Sequence, residues 1–344
     1  MKKHSLVNIT AFFLSVLLSV TACRQPTQIE ELQSTSQIRV VTTIFPPFDF
    51  VRQIGGQTVS IRMLIKPGSD PHSYDPTPSD IHAIEQCDVF IMTGGESDAW
   101  AETLLDSINT ESMQIVRMLS VVPPLHEEIT SGMTVSAHSH EDSDHAAEEH
   151  NHETYDTEQQ EEVEKQYEEY DEHVWTSPKN AQLICAAILD ALCTACPAEQ
   201  AALEERAAAY QAQLCTLDQA YTQVISQAVR HTVLFADRFP FRYLTHDYNL
   251  TYHAAFPGCS SRSEPSIHTM LYLIDAIRAE HIPVIYVVER SNRNIAQVIA
   301  DETGANILEL HSCHTVSQQE LKSGVTYISL MYQNLENLKK GLSQ

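Results

Sequence analysis

The stretch GSDPHSYDPTPSD runs from Gly68 to Asp80 and sets one imidazole, His72, among prolines at 67, 71, 76 and 78 and the carboxylates of Asp70, Asp75 and Asp80. A second imidazole, His173, stands in DEHVW, between Asp171-Glu172 and Val174-Trp175. Each has a carboxylate close in sequence that could accept its second ring proton. Such a partner fixes the tautomer and makes the free nitrogen a better donor to a metal ion. Taken singly, either histidine is explained as well by a surface or hydrogen-bonding role. Between them, however, His138, His140, His145, His150 and His152 fall within fifteen residues, interleaved with Asp and Glu. A solvated acidic tract accounts for the acid but not for this density of imidazoles. Exported tracts of this composition bind zinc and related borderline metals.

These side chains need a scaffold. Short β-branched runs at 38–44, 58–64, 88–93 and 113–117 alternate with helical patterns at 48–54, 79–86 (with Ser79 as a candidate N-cap) and 98–108. Strands alternating with short helices predict β/α units on a parallel sheet. His72 then lies on a loop after a strand, where parallel sheets line their ligand crevices. From Ala137 to Glu172 the regularity stops. That tract has too little apolar surface to offset the entropy of ordering it, and it reads as a mobile loop. Ser177 and Pro178 form a helix-start signal for a helix over 180–192. A second helical pattern runs from Pro197 to Val229 without Gly or internal Pro. If continuous it spans roughly 50 Å, enough to run along two lobes. Beyond it, strands are predicted at 232–236, 251–255, 283–288 and 305–308, with helices at 266–280 and 292–303 and a terminal amphipathic helix marked by Tyr327, Leu330, Met331, Leu335 and Leu338. The fold expected is α/β: two β/α lobes with parallel sheets joined by one long rigid helix, and a metal site in the cleft between the lobes. By residue, 1–22 is a signal peptide, 23–37 a tether and 38–176 the N-terminal lobe with its His/acid loop at 137–172. A helical region follows at 178–230, with the linking helix at 197–229, and the C-terminal lobe covers 231–344.

The signal peptide follows from a basic start, an apolar run from Leu6 to Val20 and small residues before Cys23. That run is too short and interrupted for a good membrane span. The net charge of −25 excludes nucleic acid as a natural partner. Residues 141–172 alone hold fifteen Asp or Glu against one Lys, and an acidic exported protein favours encounters with cations. Seven cysteines follow Cys23, at 87, 185, 193, 196, 215, 259 and 313. An odd number leaves at least one unpaired. Cys193 and Cys196 have C-x-x-C spacing but no second pair to complete a zinc site, which favours a packing role. No His-Glu-x-x-His and no Gly-x-Ser-x-Gly occurs, so the chain does not read as an enzyme.

The two histidine motifs in this order, with Gly94-Gly95-Glu96 and Trp100, Glu264-Pro265-Ser266 and Asp301–Ala305, resemble the solute-binding lipoproteins of zinc and manganese uptake transporters, the ZnuA/TroA-like group, from about Ile38 onward. Cys23 resembles the lipidated cysteine of a lipobox, which implies an extracytoplasmic, membrane-anchored lipoprotein. The resemblance implies His72 and His173 as N-lobe ligands. In the C-lobe the match weakens. The family has His or Glu three residues before Phe-x-Tyr, and here Phe241-Arg242-Tyr243 is preceded at that place by Arg238, which has no acceptor for a cation. Asp237 is offered as the substitute, or else it pairs with Arg238. Glu289, ending a strand, is offered as the remaining ligand or as a salt-bridge partner. His253 reads as structural. Cys259 and Cys313 resemble the paired cysteines of some zinc-binding members, which implies a disulfide.

Two imidazoles with one or two carboxylates suit Zn²⁺, with Mn²⁺ as the alternative. The thiolate-free histidine tract favours zinc. The partners implied by the resemblance are an ABC permease and its ATPase, with the binding protein itself a monomer. A metal-binding adhesin or storage lipoprotein would share the same site.

Overall fold

The computed structural model describes residues 37–134, 169–258 and 264–343. They belong to one compact unit that begins at Gln37. Cys23, Cys259 and the five histidines from His138 to His152 lie outside the described residues.

The first sheet contains β1 (Ile38–Thr42), β2 (Val59–Met63), β3 (Val89–Met92) and β4 (Gln114–Arg117), in the spatial order β2-β1-β3-β4. The second contains β5 (Thr232–Phe239), β6 (Thr251–Pro257), β7 (Val284–Val287) and β8 (Asn306–Glu309), in the order β6-β5-β7-β8. Every pairing in both is parallel. All eight strands fall where the β-branched runs predict them.

Parallel sheets need both faces covered, and the side-chain alternation shows how. In the first sheet Val40, Val89 and Ile91 point into a large core shared with the helices, while Val41, Phe90 and Met92 point into a smaller core on the opposite face. In the second, Val233, Phe235 and Tyr286 join the same large core, and Leu234, Ile285 and Val287 fill a third. The large core is therefore continuous across both sheets. A period of two with apolar residues on both faces is why these strands read as unbroken hydrophobic runs.

The linking helix occupies Gln200–Ser226, 27 residues or about 40 Å, with Pro197–Glu199 as a separate 3₁₀ turn before it. The sequence-based span of 197–229 is thus too long at both ends. Leu203, Ala207, Tyr210, Leu214, Leu217, Tyr221 and Ile225 are buried along one stripe, the spacing of a helix packed on one face. Near its start Tyr210 packs on Phe50 of the helix Phe45–Gly55. Near its end the Tyr221 hydroxyl donates to the Met331 carbonyl in the terminal helix Tyr327–Leu342 at 2.7 Å.

Local signals explain most other ends. The helix Pro178–Ala195 is capped by Ser177 as expected. The helix Pro78–Glu85 is capped by Thr77, not Ser79, because Thr77 and Asp80 form a reciprocal capping box and Pro78 takes the first helical position. Two short helices escaped the sequence reading, Arg242–Asp247 and Gln318–Lys322. The second carries a Ser317/Glu320 capping box that was legible in SQQE. Cys193 and Cys196 end the helix Pro178–Ala195 as free thiols packed against the core. Among the described residues no single helix is long and apolar enough to cross a membrane.

Candidate metal centre

The chain reverses its winding between β1 and β3 in one sheet and between β5 and β7 in the other. Ligand crevices of such sheets open at the carboxyl ends of the strands at that switch. A cavity of about 390 Å³ lies there, and residues following β2, β5, β6, β7 and β8 line it.

His72 enters from the loop after β2. Pro71 starts a single 3₁₀ turn, and the Asp70 carboxylate accepts the backbone N–H of His72 at 3.1 Å. The orienting partner of the ring is not a carboxylate, as the flanking aspartates suggested, but the Ser97 hydroxyl, 2.9 Å from Nδ1. Ser97 is held in turn by Glu172, whose carboxylate accepts the Ser97 N–H at 2.8 Å. With Nδ1 engaged, Nε2 is the nitrogen left for a ligand. His173 matches its sequence-based expectation. Asp171 Oδ1 lies 2.8 Å from its backbone N and 3.1 Å from its Nδ1, and all three groups are buried. Order returns earlier than expected here. Asp171 N–H donates to the Leu125 carbonyl, and the Tyr243 hydroxyl donates to the Asp171 carbonyl. The last residues of the tract, Asp171 and Glu172, are therefore buried parts of the site rather than mobile loop.

The third imidazole is His314, which the sequence reading missed. It sits on the loop after β8. Its ligand nitrogen and those of His72 and His173 lie within 4.8 Å of one another. Its ring is 5.2 Å from each of theirs, centroid to centroid. The loop is braced from several sides. Trp175 Nε1 donates to the Ser312 carbonyl at 2.8 Å, and Asn334 pairs with both the N–H and the carbonyl of His311. Cys313 takes a positive φ of 62°, which turns the chain so that His314 faces the cavity. The signal that could have found His314 was positional. HSCH follows a strand directly, at the end where a β/α loop lines the crevice.

The two carboxylates expected as C-lobe ligands line the cavity but stand outside the cluster, because each is occupied by backbone. Asp237 accepts the N–H of Arg238 at 2.8 Å and that of Val288 at 3.3 Å, spanning the point where the register of β5 shifts. Glu289 accepts the Ser312 N–H at 2.7 Å and the Ser312 hydroxyl at 2.5 Å, and that hydroxyl accepts the N–H of His314 at 3.1 Å. Glu289 thus positions the His314 loop. His253 bonds Tyr272 and Glu280 on a strand outside the cavity, a structural role. Cys313 is buried, and its expected disulfide partner, Cys259, lies outside the described residues.

Charge arranges the imidazoles for metal. Burial, then the neighbouring His173 and Arg238, pull the pKa of His72 down to about 4. Burial with His72, His173 and Arg238 puts His314 well below its ordinary value. Burial also acts against the charged form of His173, but Asp171 outweighs it and raises that pKa above 6.5. Two of the three rings are therefore neutral at neutral pH, the form in which imidazole can bind a metal. A tetrahedral zinc with bonds of roughly 2.0–2.1 Å holds its ligand atoms about 3.3 Å apart, so small ring rotations close this cluster on an ion. The three imidazoles would supply three of the four ligands of a tetrahedral zinc.

Two parallel-sheet lobes with imidazoles from both converging in the cleft define a metal-binding protein of the two-lobed solute-binding class. The family model described as zinc-uptake complex component A, periplasmic (ZnuA), matches residues 40–341, and the chain belongs to that family. Among its relatives are the zinc-binding lipoprotein AdcA of Streptococcus pneumoniae, 28% identical over 349 residues, covering 100% of this chain and 62% of the relative, and the high-affinity zinc uptake system protein ZnuA of Bacillus subtilis, 27% identical over 312 residues, covering 89% and 88%. The chain spans about three-fifths of the length of the AdcA relatives it matches. The crystal structure of the Zn(II)-bound ZnuA-like domain of Streptococcus pneumoniae AdcA superposes with a TM-score of 0.70 at 26% identity, over 90% of this chain and 100% of that one.

Proposed function

We propose that the chain captures extracytoplasmic Zn²⁺ with His72, His173 and His314 and delivers it to a membrane permease driven by an ATPase. The observation that carries this is the three-imidazole cluster at the mouths of two parallel sheets. Its donors are all nitrogen, while the nearby carboxylates Asp237 and Glu289 are committed to backbone. Manganese favours oxygen donors and zinc accepts imidazole readily, so the donor set selects zinc. Zinc-binding and zinc-uptake names among the relatives support the same cargo. The lipoprotein name of the AdcA relative supports an anchor at Cys23. The histidine tract gathers metal for the cleft.

The test is a chelator-competition titration with Zn²⁺ and Mn²⁺ in parallel, on the mature protein with and without residues 137–166 and on a His72→Ala variant. One tight zinc site that survives the deletion and is lost with His72 is the expected result, together with slower capture or lower stoichiometry in the deletion. Tight manganese with weak zinc, or zinc binding indifferent to His72, overturns the reading.

A further inference from the structure

Arg238 stands where the resemblance places a ligand, and its own backbone is fixed by Asp237. Its half-buried guanidinium lines the cavity with the three histidines and forms no hydrogen bond or ion pair with another described residue. The carboxylates that could neutralise it face elsewhere. Asp237 caps backbone, Glu289 holds Ser312, Asp171 holds His173, and Asp70 accepts the backbone N–H of His72. A dication bound by three imidazoles would share the cavity with this guanidinium, while the carboxylate of Asp171 meets the ion only through the ring of His173. Arg290 adds a third cation at the mouth, reaching to Gly68, where an added side-chain carbon would lie 2.4 Å from its Nη1. A cavity of about 390 Å³ also exceeds the space of an ion and its water, since one water takes about 30 Å³.

We propose that Arg238 holds a small carboxylate in the cavity as the fourth ligand of the metal bound by His72, His173 and His314. The cargo is then a ternary complex, with the carboxylate bridging ion and guanidinium. A planar guanidinium matches a carboxylate through two parallel N–H donors, and the fourth tetrahedral position accepts an oxygen. Arg290 draws the anion toward the mouth. This inference rests on zinc binding at the three histidines.

Acetate is the probe. Zinc affinity is measured by chelator competition in a non-coordinating buffer at fixed ionic strength, with and without acetate, for the full mature protein and for Arg238→Gln and Arg238→Lys. Acetate is expected to tighten zinc binding by the wild-type chain about tenfold or more, the effect of one charge-assisted pair. Arg238→Gln should show no tightening, and Arg238→Lys should recover only part of it. In the Co²⁺-loaded protein acetate should shift the visible ligand-field bands of wild type and leave those of Arg238→Gln unmoved. Zinc affinity unchanged by acetate, equal tightening in Arg238→Gln, or an equal effect from chloride overturns the carboxylate site while leaving zinc binding intact. Zinc affinity unchanged by His314→Ala, or absent under every condition, overturns the underlying metal site as well.

Discussion

The ligand assignment predicts an order of losses among three substitutions around the cleft. Structural zinc is held by roughly 10–16 kcal/mol over four ligands, so one imidazole stands for about 3 kcal/mol, a loss of roughly a hundredfold or more. His314→Ala should therefore weaken zinc by that much, alongside His72→Ala and His173→Ala. Glu289→Ala removes no donor to the ion, but it leaves the N–H and hydroxyl of Ser312 without their acceptor and frees the backbone that sets His314. Loss of such a support costs about tenfold to a hundredfold in metal affinity. Asp237→Asn touches only the N–H groups of Arg238 and Val288 and should have the smallest effect. The assay is chelator competition, with metal-free thermal melts to confirm that each variant folds. If Asp237→Asn or Glu289→Ala costs as much as His72→Ala while His314→Ala costs little, the three-imidazole assignment is wrong and the carboxylate is the ligand.

Other consequences can be checked separately. Metal must displace the proton of His173, whose pKa is raised by Asp171, while His72 loses its proton near pH 4. Zinc affinity should thus fall about tenfold per pH unit as pH drops below the His173 value, with a steeper slope only near pH 4; a flat profile between pH 7 and 5 refutes the coupling. Asp98 is buried under Thr93 and Gly94, and burial raises its pKa to about 6 from 3.8. Its contribution to stability is complete below the unfolded value and lost as pH rises through about 6, at most roughly 3 kcal/mol. Denaturant midpoints of Asp98→Asn should depend less on pH across that window than those of wild type, and parallel profiles would contradict this. A side-chain carbon at Gly258 would lie 2.9 Å from the Phe239 carbonyl and 3.3 Å from both Asp171 Oδ2 and His173 Cε1. Gly258→Ala should cost about 1–3 kcal/mol by denaturation and weaken zinc by displacing His173; unchanged values in both assays would show that the loop yields freely.

The sequence by itself determined the eight strands, most of the helices and two of the three imidazoles. Strand runs such as Val89–Met92 are apolar at every position, and the helix-start residues at 177 and 178 act on their immediate neighbours. His173 was legible because its ring is fixed by a neighbour in sequence, Asp171, and His72 because Asp70 and Pro71 set its backbone, although the distant Ser97 orients its ring. Tertiary structure decided the rest. His314 joins the imidazole cluster only because Glu289, Trp175 and Asn334, all distant in the chain, brace its loop. The carboxylates of Asp237 and Glu289 are identical in sequence terms to free ligands. Only the packing of β5, β7 and the loop after β8 shows that backbone N–H groups already occupy them. Hydrogen-bond donors from other strands compete with a metal for the same oxygens, and that competition exists only in the folded chain.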